Sequence, residues 1–156
     1  MKTDRRKSRE LAFQTLYALF MQEEIGELEE ERIEALKKEL ISDRNVKKSV
    51  VQYAESLFTI TKKNSLEINK ILSETADNWD VERFSMVDKS LLHLAVAELL
   101  HFPEVPVKVV INEALEMARS FSSDQSVSFI NGILDSVRRK YVTKKEIENA
   151  DKVEKV

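Results

Sequence analysis

The sequence has no cysteine, only two glycines and two prolines, and only two histidines in 156 residues. Without cysteine there are no disulfides and no thiolate chemistry. His93 and His101 alone cannot make a histidine-rich metal site. Turn-rich β architectures need glycine and proline at their turns, so helices with short connections are favoured. No uninterrupted apolar run approaches ~20 residues, so no membrane-spanning segment is expected. The N-terminus carries charge but no apolar core and cleavage site behind it, so it does not read as a secretory signal. A soluble cytoplasmic protein is the expectation. Also missing are a nucleophile motif, a glycine-rich phosphate loop and an HExxH pattern. Carboxylates are plentiful, but none is marked out as an acid–base pair. The expectation is therefore no enzyme, no cofactor and no metal.

What the sequence does have is unevenly placed charge. Residues 1–10 carry five basic and two acidic groups, net +3. Residues 23–43 carry nine acidic and three basic groups, net −6. Residues 44–156 are neutral, with seventeen of each. The strip Lys2, Arg5, Arg6, Lys7, Arg9 is thus a local feature on an acidic chain. Guanidinium forks suit phosphate oxygens and base edges, so the strip is a candidate nucleic-acid site. The plainer reading is a solvated, frayed N-terminus, because basic runs are weak signals. If nucleic acid does bind, the acidic segment should point away from it.

Apolar residues recur at helical spacing along most of the chain. Leu11, Ala12, Leu16, Leu19 and Phe20 predict a first helix from about Ser8 to Gln22, ending before Gly26. Ile33, Leu36, Leu40 and Ile41 predict a second. Val46, Val50, Tyr53, Leu57 and Ile60 predict a third, ending near Asn64. Leu66, Ile68, Ile71 and Leu72 suggest a short fourth. Ser85-Met86-Val87-Asp88 reads as a capping box with aspartate in the usual glutamate place. It opens the most apolar segment, Leu91 to Leu100, which should form a central, buried fifth helix. Pro103 and Pro106 close that helix and set the entry to the next. Val109, Ile111, Ala114, Leu115 and Ala118 stripe the sixth. Ser122-Ser123-Asp124 offers a cap for a seventh, with Phe129, Ile130, Ile133, Leu134 and Val137 facing inward. The fold class is therefore all-α, with about seven helices in two small packed bundles, about 1–76 and 77–142. The seam falls at 75–84. Residues 143–156 read as a charged, disordered tail.

Several residues admit two readings. His93 lies inside an apolar helix, where a core or edge histidine is favoured over a catalytic base. Trp79 reads as an anchor at the seam rather than a stacking platform. Gly132 sits in a helical stripe, where glycine costs about 1 kcal/mol relative to alanine. Close approach of a neighbouring helix or ligand is the favoured explanation over tolerated noise. Asn112 and Glu113, among apolar neighbours, read as structural hydrogen-bonding groups. Phe121 and Phe129 flank a polar turn and read first as core. The alternative leaves a ring edge exposed for base stacking.

Several blocks together resemble one family. They are the Arg5–Tyr17 start, Trp79 to Lys89, Ala95 to Leu99, Val105-Pro106-Val107-Lys108-Val109-Val110-Ile111-Asn112-Glu113-Ala114, and Ser120-Phe121 through Phe129-Ile130-Asn131-Gly132-Ile133-Leu134-Asp135. Over about residues 2–140 the chain resembles the NusB family of bacterial transcription antitermination factors. The resemblance implies an all-helical fold of two small bundles and a non-enzymatic, RNA-binding role. It implies binding to the single-stranded boxA element of nascent ribosomal RNA leaders, together with NusE, which is also a small-subunit ribosomal protein. It further implies association with the RNA polymerase elongation complex and other Nus factors, helping the polymerase resist termination. By position, Arg5, Arg6, Lys7 and Arg9 match the family's arginine-rich RNA-binding start; Lys2 extends that RNA-binding candidate strip, and Gln14 adds a polar group on the same helix. Phe121, Ser122, Gln125 and Phe129 match a second RNA-facing segment. Tyr17 and Asp88 match positions of the NusE-binding surface.

The departures fall mostly in the second segment. The family usually has Phe-Gly where this chain has Phe121-Ser122, which puts the turn in question. It often has aspartate where this chain has Gln125, a change that removes a repulsion toward phosphate. Two rival readings belong to other classes. One is an accessory RNA-binding module of the kind fused to RNA cytosine methyltransferases, although 156 residues leave no room for a cofactor-binding domain. The other is a self-associating homodimer that masks its own basic face.

Overall fold

The computed structural model describes residues 3–41, 45–76 and 84–142. Among these there are seven α-helices and no strand. They are α1 (Asp4–Glu23), α2 (Glu30–Ile41), α3 (Lys48–Lys63), α4 (Ser65–Thr75), α5 (Met86–His101), α6 (Val107–Phe121) and α7 (Asp124–Val137). A π-helical turn, Arg138–Val142, extends α7. The expected tail at 143–156, Lys2 and Trp79 lie outside the described residues.

α1 begins a full turn earlier than its apolar stripe predicts. Thr3 caps it, its hydroxyl accepting from the Arg6 amide at 3.1 Å. A threonine cap satisfies one of the orphan amides of a first turn, and Asp4 there complements the helix dipole. The consequence is that residues 5–9 of the basic strip are helical rather than frayed.

α5 is the centre. Every residue from Ser90 to Leu100 is buried, and the helix packs against α1, α3, α4, α6 and α7. One continuous apolar cluster runs from Ala12 on α1 to Val142 after α7. α4, on the N-terminal side of the expected seam, packs against α5 and α7. α1 and α3 lie side by side in parallel. Ser8 donates to the Val50 carbonyl at 2.9 Å near their starts, and Lys62 meets Glu23 at 3.7 Å near their ends.

Some stripe residues do not face the core. Leu66 is 84% exposed, at the first turn of α4, and Val109 is 42% exposed. Val46 precedes α3 instead of belonging to it. Gly132 is open: nothing lies within 4 Å of where its Cβ would be. The close approach by another part of the chain that its position suggested is therefore absent among the described residues. His93 is a core histidine. It is fully buried, its Nε2 lies 3.0 Å from Asn69 Oδ1, and its ring meets Phe20 edge-on at 5.1 Å. Burial, with Lys89 nearby, pushes its pKa down to about 3, so it is neutral and donates to Asn69.

Candidate nucleic-acid interface

Because residues 5–9 are helical, their side chains fan out by about 100° per residue. Residues four apart share a face and adjacent ones do not. Arg5 and Arg9 therefore point the same way, toward α3 and α5. Arg6 points toward α6, and Lys7 points outward. The strip is one run in sequence but three directions in space.

Arg9 points inward. It is 4% exposed and forks onto Glu98 of α5. Its Nε donates to Oε1 and its Nη2 to Oε2, both at 2.8 Å. Tyr53 of α3 donates to the same Glu98 at 2.6 Å. Burial works against the Arg9 charge, but the carboxylate overrides it and holds the pKa above the ordinary arginine value. Burial, and then donation to Glu98, likewise push the Tyr53 phenol up. The expectation that Arg9 contacts RNA does not fit this arrangement, because its donors are aimed into the core. Arg5 covers the outer end of the same cluster, its guanidinium 3.6 Å from the Tyr53 ring centre. It is exposed on its other face.

Arg6 forms a two-point pair with Glu113 of α6. Nη2 donates to Oε1 at 2.9 Å, and Nε donates to Oε2. The hydrogen bond raises the Arg6 pKa and lowers that of Glu113. Glu113 thus makes the structural hydrogen bond its surroundings suggested, with a residue of the basic strip. Lys7 and Gln14, seven residues apart, are both exposed on one stripe of α1.

The second segment is brought to the first by a ring contact. Phe13 of α1 lies 5.1 Å from Phe121, centre to centre, at the end of α6. Phe13 is seven residues from Arg6, hence on the same side of the helix. It is buried, whereas Phe121 keeps 36% of its surface exposed. Phe121 therefore has one face supported and part of the other free for stacking. Phe129 is half-buried and meets Phe84 edge-on at 4.8 Å. Gln125 is exposed in the first turn of α7.

The turn between α6 and α7 is held by Asp88. Its two carboxylate oxygens accept from Ser122 at 2.9 Å and Ser126 at 2.8 Å. Its amide donates to Ser85 at 3.1 Å, so the helix cap forms, but its carboxylate reaches another turn. Asp88 is 6% exposed. The expectation that it contacts NusE directly does not fit, because both oxygens are engaged inside the protein. Ser122 takes an extended backbone, φ −131°. No described residue has positive φ, so the turn needs no glycine, and Ser122 adds a hydroxyl to Asp88. Ser123 caps α7, accepting from the Ser126 amide at 3.2 Å. Tyr17 is half-buried on α1, with its ring 6.3 Å from Phe13.

Phe13, Glu98 and Tyr53 were not marked as functional by the sequence. Phe13 had a signal, its spacing from Arg6. Glu98 had one as well, as the lone acidic residue in the Leu91–Leu100 run.

An all-helical domain with a cationic helix start beside a partly exposed aromatic turn is the class that this fold and edge define. No group of acidic or histidine residues able to hold a metal occurs among the described residues. No helix among them is long and apolar enough to cross a membrane. The chain belongs to the NusB family, whose family model matches residues 6–139. It is 44% identical over 135 residues to the transcription antitermination protein NusB of Koribacter versatilis (strain Ellin345), covering 86% of this chain and 88% of that one. It is 37% identical to the NusB of Natranaerobius thermophilus, covering 85% and 93%. Among solved structures, T. maritima NusB superposes with a TM-score of 0.77 at 32% identity, over 95% of this chain and 99% of that one. A crystal structure of antitermination factors NusB and NusE in complex with dsRNA superposes with a TM-score of 0.77 at 25% identity, over 90% and 100%.

Proposed function

We propose that this protein is an RNA-binding transcription antitermination factor that binds boxA of nascent ribosomal RNA leaders together with NusE and helps RNA polymerase resist termination. The observation that carries this reading is the junction of Arg6, Phe13, Glu113 and Phe121. It joins the cationic start of α1 to the aromatic end of α6 on one edge. Cations neutralise phosphates, and a partly free ring stacks a base, the usual division of labour on single-stranded RNA. Arg5, Arg6, Lys7, Gln14, Phe121 and Gln125 form the contact set. Arg9 and Asp88 hold that set in place from behind, and Ser122 shapes the turn. The protein acts without catalysis, in the cytoplasm, as an adaptor between RNA, NusE and the elongation complex.

The test is titration of the protein with boxA-like RNA, single-stranded and double-stranded, with and without NusE, across a range of salt. Single-stranded binding should weaken with a log–log slope near −0.7 per neutralised phosphate. It should strengthen when NusE is present. No saturable binding to either RNA form, with NusE or without it, would refute the reading.

A further inference from the structure

Arg6 meets an acid where a nucleic-acid-binding arginine would be expected to stand free. Nε and Nη2 form an edge of the guanidinium that can match two oxygens of a phosphate. Here that edge is already occupied by the two oxygens of Glu113. The pair is not sealed in the core, since the two side chains are 24% and 20% exposed. Glu10 and Glu116 add further negative potential at Arg6. A phosphate approaching this edge must therefore displace a carboxylate from its preferred geometry.

Binding through phosphates alone carries no sequence information. A helix start with freely available arginines would hold any RNA. We propose that Glu113 is a specificity-determining residue, masking Arg6 from indiscriminate polyanions and yielding it only to RNA that also engages the Phe121 turn. The placement supports this. Glu113 lies on α6, the helix that ends in Phe121, and Phe13 links that ring to the Arg6 side of α1. A base stacked at the turn adds affinity that a non-cognate strand lacks, and that increment offsets the exchange of carboxylate for phosphate. The inference rests on the RNA-binding reading above and assigns Glu113 an attenuating role within it.

The experiment compares wild type, Glu113→Gln, Glu113→Asp, Arg6→Gln and the Arg6→Gln/Glu113→Gln pair. Each is titrated with a boxA-like single strand and with oligouridine of equal length. Glutamine keeps the size of Glu113 and removes its charge. Glu113→Gln should bind oligouridine at least about threefold more tightly near 50 mM salt, with a salt slope steeper by about 0.7, equivalent to one more phosphate. The gain for the boxA-like strand should be smaller, so discrimination falls. Glu113→Asp, which keeps the charge, should retain discrimination. With Arg6→Gln already in place, Glu113→Gln should change neither affinity. Three results would overturn the inference: weaker binding by Glu113→Gln, no change in it, or an equal gain in the Arg6→Gln background. If wild type binds neither RNA, with NusE or without it, the functional reading fails, and the inference with it. Wild-type binding with an inert Glu113→Gln sinks the inference alone.

Discussion

Arg9 and Lys7 are two residues apart and equally basic, yet the helix assigns them opposite environments. Arg9 continues the buried stripe backward from Ala12, Phe13 and Leu16, at the spacing that keeps residues on one face. Glu98 is the only acidic residue in the apolar run of α5. A lone cation on one buried face and a lone anion on another were both visible in the sequence. Their pairing was not, because periodicity gives the face of a helix but not its neighbour. Removing one member of a buried pair leaves the other charge uncompensated, at a cost of about 3–5 kcal/mol. Arg9→Ala should therefore lower unfolding stability by that amount, while Lys7→Ala, at an exposed site, should change it by less than about 0.5 kcal/mol. Denaturant titration of the two variants checks this. Equal, small effects would show that Arg9 is not held as described. His93 gives a second expectation at this scale. Its folded pKa of about 3 lies below the unfolded value of 6.5. Between those values the unfolded chain takes up a proton that the folded protein refuses, so stability falls as pH drops. From pH 7 to 5 the loss from this group should approach about 2 kcal/mol. His93→Gln should flatten that part of the stability-against-pH curve, even if it lowers the whole curve. An unchanged slope would mean that His93 titrates normally.

At the scale of elements, the helices were legible because each has a stripe, although Val46 falls before α3 and Phe129 of the α7 stripe is only half-buried. Two kinds of boundary were not. The start of α1 depends on Thr3 as a cap, a local hydrogen bond that apolar spacing does not report. The α6–α7 turn depends on Asp88, thirty-four residues before Ser122 in the chain. In the sequence Asp88 looked like half of a capping box, because the contact that matters is tertiary. Ser122 stands where a glycine was expected, and the extended backbone there lets a serine serve. Phe121, the supported ring, depends on this turn for its position. Asp88→Ala removes a charged acceptor from both serines, and hydrogen bonds to charged groups are worth about 1.5–3 kcal/mol each. Ser122 and Ser126 reach solvent in part, so the net loss of stability should be nearer about 2 kcal/mol. RNA affinity should fall more than the loss of folded protein explains, because the ring and α7 lose their fixed relation. Titration at a temperature where the variant is fully folded separates the two effects. Undiminished affinity there would show that the turn does not matter for binding.

Across the whole molecule, the two charge clusters are kept apart by the direction of the helices. Gln22, near the end of α1, accepts from Arg32 on α2 at 3.3 Å. The acidic start of α2 thus lies beside the far end of α1 from Arg5. Seventeen residues of helix separate Arg5 from Gln22, about 26 Å at 1.5 Å per residue. That exceeds the screening length of about 8 Å at physiological salt, so the acidic cluster barely weakens attraction at the basic edge. Tyr17 lies between these ends and shares a ring contact to Phe13 with Phe121 of the proposed RNA edge. A NusE surface centred on Tyr17 would therefore adjoin the RNA surface, so one partner could extend the track for the other. Its half-buried ring presents a phenol that can leave an apolar contact and still donate a hydrogen bond. Binding energy concentrates in a few such anchors, at about 2 kcal/mol or more each. Tyr17→Asp would place a charge in that contact without a partner for it. It should weaken NusE binding by more than about 2 kcal/mol, and RNA binding measured without NusE should change far less. Separate titrations with NusE and with RNA distinguish these effects, with a melting curve as control. A variant that fails to fold would make Tyr17 a core residue. A folded variant with normal NusE binding would place the NusE contact elsewhere on this chain.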